Sequence, residues 1–305
     1  MVVNQAAGGV VALRATDAAT LSATFAGLDG AAVDPGATTV TITREGDGTA
    51  VATGAAASGT GAAARTYALT GEQTATLDRL TVVWTSAQQS GGSPATITQV
   101  YETVGDWLFT VAEARAAHPD LTAPTYGDPA IAAARQRIAE WFEEICGVAF
   151  APRYRRVVAS GDGTCELLLP GAMLPTAVRR VEERERGATA WVAFGAEDLA
   201  DVLAEPWGAL VRESRGVWTL GRRNWRIAFE HGHAAVPPPI RRAAIRLLLH
   251  QIIPSNLSDR SLSETNSLGT FRLAAPDATR WGRWTGLPEV DSVLAEYHRR
   301  APGLA

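Results

Sequence analysis

The residues that could do chemistry are few, and each lacks a partner that the chemistry needs. His231-Gly232-His233 places two imidazoles close together, as a transition-metal site would. A catalytic zinc centre usually needs a third protein ligand placed by the fold, and no helper stands at helical spacing from this pair. The motif reads as a strand-end turn with exposed histidines. Gly59-Thr60-Gly61-Ala62-Ala63-Ala64 fits the loose dinucleotide fingerprint, but that fingerprint works only between a buried strand and a helix. Its flanks here are a small-residue loop and a strand. Serines are plentiful, yet no Gly-x-Ser-x-Gly elbow marks one for activation. The carboxylate pairs Glu143-Glu144 and Glu182-Glu183 lie on charged faces and read as solvated. Cys146 and Cys165 are too few for a zinc site or a disulfide framework. They read as buried free thiols, with a single bridge as the alternative. These residues imply no enzyme, no cofactor and no metal.

The elements that would position such residues fall into two compositional halves. Apolar residues are 46% and charged residues 20% of 305, enough for two cores in an ordinary globular chain. The first hundred residues are rich in Ala, Gly and Thr and poor in aromatics. Most tryptophan and arginine follows Trp107, which sets an expected boundary near Gly105. All 28 basic residues are arginine, and the net charge is −4. Acids outnumber arginines before residue 105, and the remainder is balanced. A dedicated nucleic-acid binder would instead be strongly basic on one face. The start of the chain lacks a basic stretch followed by an apolar core, so no secretory signal is expected. No apolar run reaches membrane-spanning length. A reducing cytoplasm is the expected site of synthesis and assembly.

Period-two patterning dominates residues 10–103. Leu21, Ala23 and Phe25 alternate with Ser22 and Thr24. Val40 and Ile42 alternate with threonines, as do Leu80, Val82 and Trp84 with Thr81, Val83 and Thr85. Asp29-Gly30, Asp34-Pro35-Gly36 and Asp47-Gly48 punctuate these runs. The pattern predicts an all-β, immunoglobulin-like sandwich over 1–105, with Gly54 to Ala64 as a flexible loop. Helices are expected at about 110–118, 129–146, 240–252 and 289–300 in a body covering 106–305. Thr110 to Glu113 fits a capping box. Asp128 is the expected N-cap of the second helix, followed by Pro129. Ile131, Ala134, Ile138, Trp141, Phe142 and Ile145 form its apolar stripe, with Arg135 off it, and Gly147 ends it. Pro254 stops the third helix. The last helix should bury Val290, Val293, Leu294 and Tyr297. A β-rich insert is expected at about 153–232, with hairpins turning at Gly161-Asp162-Gly163 and at Gly221 to Asn224. The fold class is therefore α+β and multidomain.

Two features invite a functional reading. Arg242, Arg246 and His250 recur every four residues as one polar stripe on an otherwise apolar helix. The stripe is either a solvated face or one that meets a subunit boundary or a lumen carrying DNA. The extended segment at about 255–286 contains Arg280, Trp281, Arg283 and Trp284, types that anchor protein interfaces. The alternative is a loop folded onto its own body.

The order of pieces resembles the head-to-tail adaptor (head-tail connector) proteins of long-tailed phages, especially those of actinobacterial hosts. The matching stretches are FTVAEARAAHPDL (109–121), AIAAARQRIAEWFEEICGVAF (130–150), GDGTCELLLPG (161–171) and GVWTLGRRNWRIAFEHG (216–232). PPPIRRAAIRLLLHQIIPSNLSDRSLSETNSLGTFRL (237–273) and GLPEVDSVLAEYHRR (286–300) complete the set. The resemblance implies a virion protein of the neck, assembled in the host cytoplasm as a dodecameric ring beneath the portal protein. Genomic DNA would pass through its lumen without sequence-specific binding, and the next partner would be a stopper or tail terminator. No membrane partner is implied. Carried over, Arg280, Trp281, Arg283 and Trp284 become a portal or neck contact, and Arg242, Arg246 and His250 a lumen or subunit boundary. Such adaptors commonly begin near the first helix, so the family says little about the first 105 residues. An alternative reading is a neck or capsid-associated decoration protein whose β-domain binds host-surface carbohydrate, with Trp84 and Tyr101 as its large aromatics. A cell-wall hydrolase is the enzyme alternative, and no assembled nucleophile, metal set or acid–base pair supports it.

Overall fold

A computed structural model describes residues 10–26, 30–59, 63–86, 95–171, 174–214, 216–253 and 284–298, with the backbone alone at 263–266 and 269–272. The chain is mixed α+β and divides into two compact units. Met1–Asp106 with Pro152–Gly232 forms one, and Trp107–Ala151 with His233–Ala305 forms the other.

The first unit opens with β1 (Val11–Arg14), β2 (Ala19–Thr24), β3 (Thr38–Arg44), β4 (Ala50–Ala56) and β5 (Ala64–Leu69). A one-turn helix α1 (Gly71–Thr74), β6 (Arg79–Ser86) and β7 (Thr96–Val104) follow. They build a five-stranded sheet, β1-β7-β6-β3-β4, and a two-stranded sheet, β2-β5. The outer strand β1 runs parallel to β7. Alternation works as expected, because successive strand side chains point to opposite faces. Leu21 and Ala23 of β2 meet Val40, Ile42, Leu80, Val82 and Trp84 of the larger sheet in one core. The indole of Trp84 keeps a partner inside it, donating to Gln99 Oε1 at 2.9 Å. The Asp47-Gly48 turn forms between β3 and β4, with Gly48 at φ 74° and Asp47 accepting the Thr49 N–H at 2.8 Å. The expected loop at Gly54 to Ala64 is narrower than its composition implies. β4 runs on to Ala56, and Ser58 bridges Thr66.

The second unit opens with α2 (Val111–Ala117) and α3 (Asp128–Cys146). The capping box is present in both directions: Thr110 Oγ1 accepts the Glu113 N–H at 3.1 Å, and Glu113 accepts the Thr110 N–H at 2.6 Å. The N-cap of α3 is Gly127, not Asp128, and Asp128 instead pairs with Arg115. Gly147 ends α3 in the left-handed region at φ 67°. Ile131, Ala134, Ile138 and Phe142 are buried. Arg135, expected off the stripe, is buried too. Its guanidinium lies 3.8 Å from the Trp107 ring centroid and donates to Phe109 O at 3.2 Å, so a cation–π contact and a hydrogen bond offset its desolvation.

The chain then returns to the first unit through β8 (Arg153–Gly161), β9 (Glu166–Leu168), β10 (Pro175–Glu183) and β11 (Val192–Ala193). α4 (Ala196–Ala200), β12 (Val202–Glu205), β13 (Ala209–Arg212) and β14 (Gly221–His231) complete this insert. Two sheets result, β11-β10-β14-β8 and β12-β13-β9. Neither expected hairpin forms. β8 pairs with β14 and β9 with β13, so the Gly161-Asp162-Gly163 turn joins two different sheets. Residues 217–220 are not a strand; the Trp218 N–H donates to Thr164 O at 2.7 Å and the Gly163 N–H to Trp218 O at 2.9 Å. That crossing loop buries Trp218 edge-on against Trp225, with centroids 4.9 Å apart. It passes so close to β8 that a Cβ at Gly161 would stand 2.1 Å from Thr219 O.

The insert packs on the N-terminal strands. Glu102, buried on β7, accepts from Arg153 of β8 at 2.9 and 2.7 Å. Arg179 donates to Leu77 O at 2.5 Å and pairs with Glu230. Tyr154 packs with Leu77 and Ala228. The Gly105 N–H reaches Pro152 O at 2.8 Å, where a side chain on Gly105 would strike the proline ring.

Helix α5 (Pro238–Ile252), the strand pair β15 (Ser263–Asn266) and β16 (Gly269–Arg272), and α6 (Pro288–Tyr297) close the second unit. Prolines occupy the first turns of α5 and α6, where their missing N–H groups cost no hydrogen bond. Ile240, Ala243, Ala244, Leu247 and Leu248 are buried on α5. On α6, Val290 and Leu294 are buried, whereas Val293 and Tyr297, expected inside, are only half-buried.

Candidate functional site

Arg242, Arg246 and His250 are exposed on the side of α5 opposite its buried row, as their four-residue spacing requires. Arg246 pairs with Glu289 of α6 at 2.6 Å, with both side chains well solvated. Arg242 makes no ion pair among the described residues. Arg241 beside it reaches Glu113 at 2.5 Å and links α5 to the α2 cap. The Thr110 N–H, together with Arg241, holds the Glu113 carboxyl below the usual range. An open groove of about 550 Å³ lies between α3 and the end of α5, lined by Arg137, Glu140, Trp141, Glu144 and Gln251.

Arg280, Trp281 and Arg283 lie outside the described residues. Trp284 is half-buried, its ring 5.2 Å from that of His298. His298 Nδ1 in turn stands 2.6 Å from Ile145 O. Thr285 follows, with its N–H and hydroxyl both on Asp291 of α6.

The two histidines of the motif belong to different units. Contrary to the expected exposure, His231 is buried, beside Phe229 and between the β8 and β10 partners Arg153 and Pro175. Burial, with Arg155 and Arg153 adding repulsion, pushes its pKa down to about 4. His233 belongs to the other unit, where its ring stacks on Phe150 at 5.7 Å. Among the described residues no group of three His, Cys, Asp or Glu could hold a metal ion.

Of the paired carboxylates expected to be solvated, Glu144 is exposed, whereas Glu182 and Glu183 are engaged. Glu182 is buried; burial opposes its ionisation, yet hydrogen bonds and charge from Arg226 hold it below the usual range. Glu183 accepts the Thr219 hydroxyl. Both cysteines are free, but only Cys146 is buried, with its thiol pushed up to about 12; Cys165 is exposed. Of the fingerprint Gly59 to Ala64, residues 60–62 lie outside the described residues, and Ala64 opens a strand rather than a helix. Trp84 and Tyr101 are both buried, so neither forms an exposed aromatic platform. No helix among the described residues is long and apolar enough to cross a membrane.

One cluster escaped the sequence reading. Arg222 and Arg223, expected in a hairpin turn, stand exposed at the start of β14, next to Arg184 just beyond β10. The doublet itself was the available signal.

No family model matches the chain. No curated protein matches it either. Among solved structures, the neck of an empty GTA particle computed with C6 symmetry is similar at TM-score 0.42 and 13% identity. That likeness covers 64% of this chain and 92% of the other.

Proposed function

We propose that this chain is a structural virion protein: a head-to-tail adaptor that forms a ring between the portal and the next neck or tail protein. The ring continues the DNA channel and has no catalytic role. One observation carries the reading. Stretches that resemble the adaptors (109–121, 130–150, the start of 237–273, and 286–298) pack as a single helical unit. Its helix α5 is apolar inward and basic outward. A helix with one face already buried offers its other face to assembly, and a closed ring multiplies weak contacts into a stable whole. Arg242, Arg246 and His250 are then the subunit-boundary or lumen face. Arg280, Trp281, Arg283 and Trp284 belong to the portal contact. The ring is read as dodecameric, with the stopper or tail terminator as its tail-side neighbour.

The N-terminal strands are read as an immunoglobulin-like domain that braces or decorates the neck. The sheet order β1-β7-β6-β3-β4 against β2-β5 supports this, as does the parallel β1–β7 pair.

Electron microscopy of particles assembled with a labelled chain tests the proposal. Twelve-fold density for the chain between portal and tail is the expected result. Particles whose neck lacks the chain would overturn it.

A further inference from the structure

The end of the four-stranded sheet where β10 stops and β14 starts carries Arg184, Arg222 and Arg223, with Arg186 two residues further along the chain. The register Glu183 to Trp225 brings the two strand ends together. The Arg184 N–H donates to Asn224 O at 2.8 Å, and its guanidinium to Arg223 O at 3.2 Å. Arg186, Arg222 and Arg223 are exposed, and among the described residues none of them makes an ion pair. Glu182 is paired with Arg226, which leaves Glu183 and Glu185 as two negative charges against the four arginines.

The tip is also built to hold its shape. Asn224 is 8% exposed; it accepts the Gly161 N–H at 3.0 Å and donates to Thr219 O at 2.9 Å, pinning an irregularity in the β8–β14 pairing. The Arg223 N–H donates to Ser160 Oγ at 2.9 Å. Arg223 itself sits at φ 51°, a left-handed conformation that disfavours any side chain with a Cβ. Glycine or asparagine would sit there with less strain, so the arginine is unexplained by folding. Trp191 lies under Arg184 at 4.8 Å and under Arg226 at 4.6 Å.

We infer that Arg184, Arg186, Arg222 and Arg223 form a binding site for the phosphate backbone of double-stranded DNA that does not read sequence. Several forked donors close to one pinned strand end suit a polymer whose charge repeats along its length. The net charge of −4 makes a local patch, rather than the whole surface, the means of approach. The inference extends the proposed function by naming a surface that meets DNA, and it does not require the ring to form.

The test is binding of the full chain to two duplexes of unrelated sequence, followed by fluorescence anisotropy across a salt series. Equal affinity for the two is expected. With Arg222→Ser and Arg223→Ser together, the slope of log affinity against log salt should lessen by about 2, close to 0.9 per lost phosphate contact. Arg223→Gly should weaken binding without lowering Tm, because it relieves the left-handed strain; this separates binding from folding. Leu220, 81% exposed beside the tip, is what a protein partner would grip. Leu220→Ser should leave DNA affinity unchanged. No salt-dependent binding by the unaltered chain would overturn the inference, as would an unchanged slope in the double variant. Loss of binding in Leu220→Ser, or equal affinity for poly-glutamate, would overturn it in favour of an apolar or acidic protein partner. Failure here would leave the ring reading intact, and a neck without the chain would leave DNA binding intact.

Discussion

The first unit contains two β cores built on different principles. The N-terminal core comes from strands that alternate cleanly: Val40, Ile42, Leu80, Val82 and Trp84 all point one way off neighbouring strands. The insert core depends on loops that cross between sheets. Trp218 comes from residues 217–220, which form no strand, and meets Trp225 from β14 and Phe194 from the stretch before α4. In the first core, local periodicity and burial agree. In the second, a tertiary contact overrides the local hairpin signal. The lesson is that alternation reports which face of a strand is buried, while the partner strand is chosen by long-range packing.

The comparison can be broken with the tryptophans. Trp84→Ala and Trp225→Ala should each cost about 4 kcal/mol, the usual scale for emptying a large buried aromatic site. Because Glu102–Arg153 and Arg179–Leu77 join the two cores, both variants should lower one shared unfolding transition in urea. Two separate transitions would show that the cores are independent.

The join between them gives the next effect. Arg153→Ala leaves the buried Glu102 carboxylate without its bidentate partner and should cost about 3 kcal/mol, read from the denaturant midpoint. Retention of full stability would mean that the pair contributes nothing across the join.

A third expectation concerns pH. His231 binds a proton near pH 6.5 when unfolded, but only near pH 4 when folded. The unfolded chain therefore holds more protons between these values, and stability falls as pH drops from 6.5 towards 4. It is fully present above 6.5. The loss over that window should approach about 3 kcal/mol. In His231→Phe this part of the acid sensitivity should disappear, as followed by thermal melts at several pH values.

The smallest effect tests the α2 cap of the helical unit, where the expected capping box is present. Thr110→Ala removes one side of the α2 capping box and should cost about 1 kcal/mol in the unfolding of the unit that contains α2. A value near zero would mean that Glu113, held also by Arg241, caps the helix without the threonine.

Legibility followed the range of the forces involved. The capping box at Thr110, the left-handed stop at Gly147, the Asp47-Gly48 turn and the alternating strands all depend on neighbours a few residues away, so they stand in the sequence. Asp128 misled because Gly127 took the cap and Arg115, thirteen positions earlier, took the carboxylate. Arg135 misled because its burial depends on Trp107 and Phe109. His231-Gly232-His233 looked like one motif, yet its two rings belong to different units. The α5 stripe was readable as a pattern from four-residue spacing, and its exposure followed.

The sequence by itself determined the α+β character, the four longer helices and the N-terminal strands. These rest on local periodicity and on side-chain chemistry. Tertiary structure alone decided that the insert strands pack on the N-terminal ones. It also decided that Trp218 and Trp225 share a core, and that Arg184 meets Arg223 at one sheet end. Such contacts link residues tens of positions apart, and their energy comes from burial and charge pairing that no local window contains.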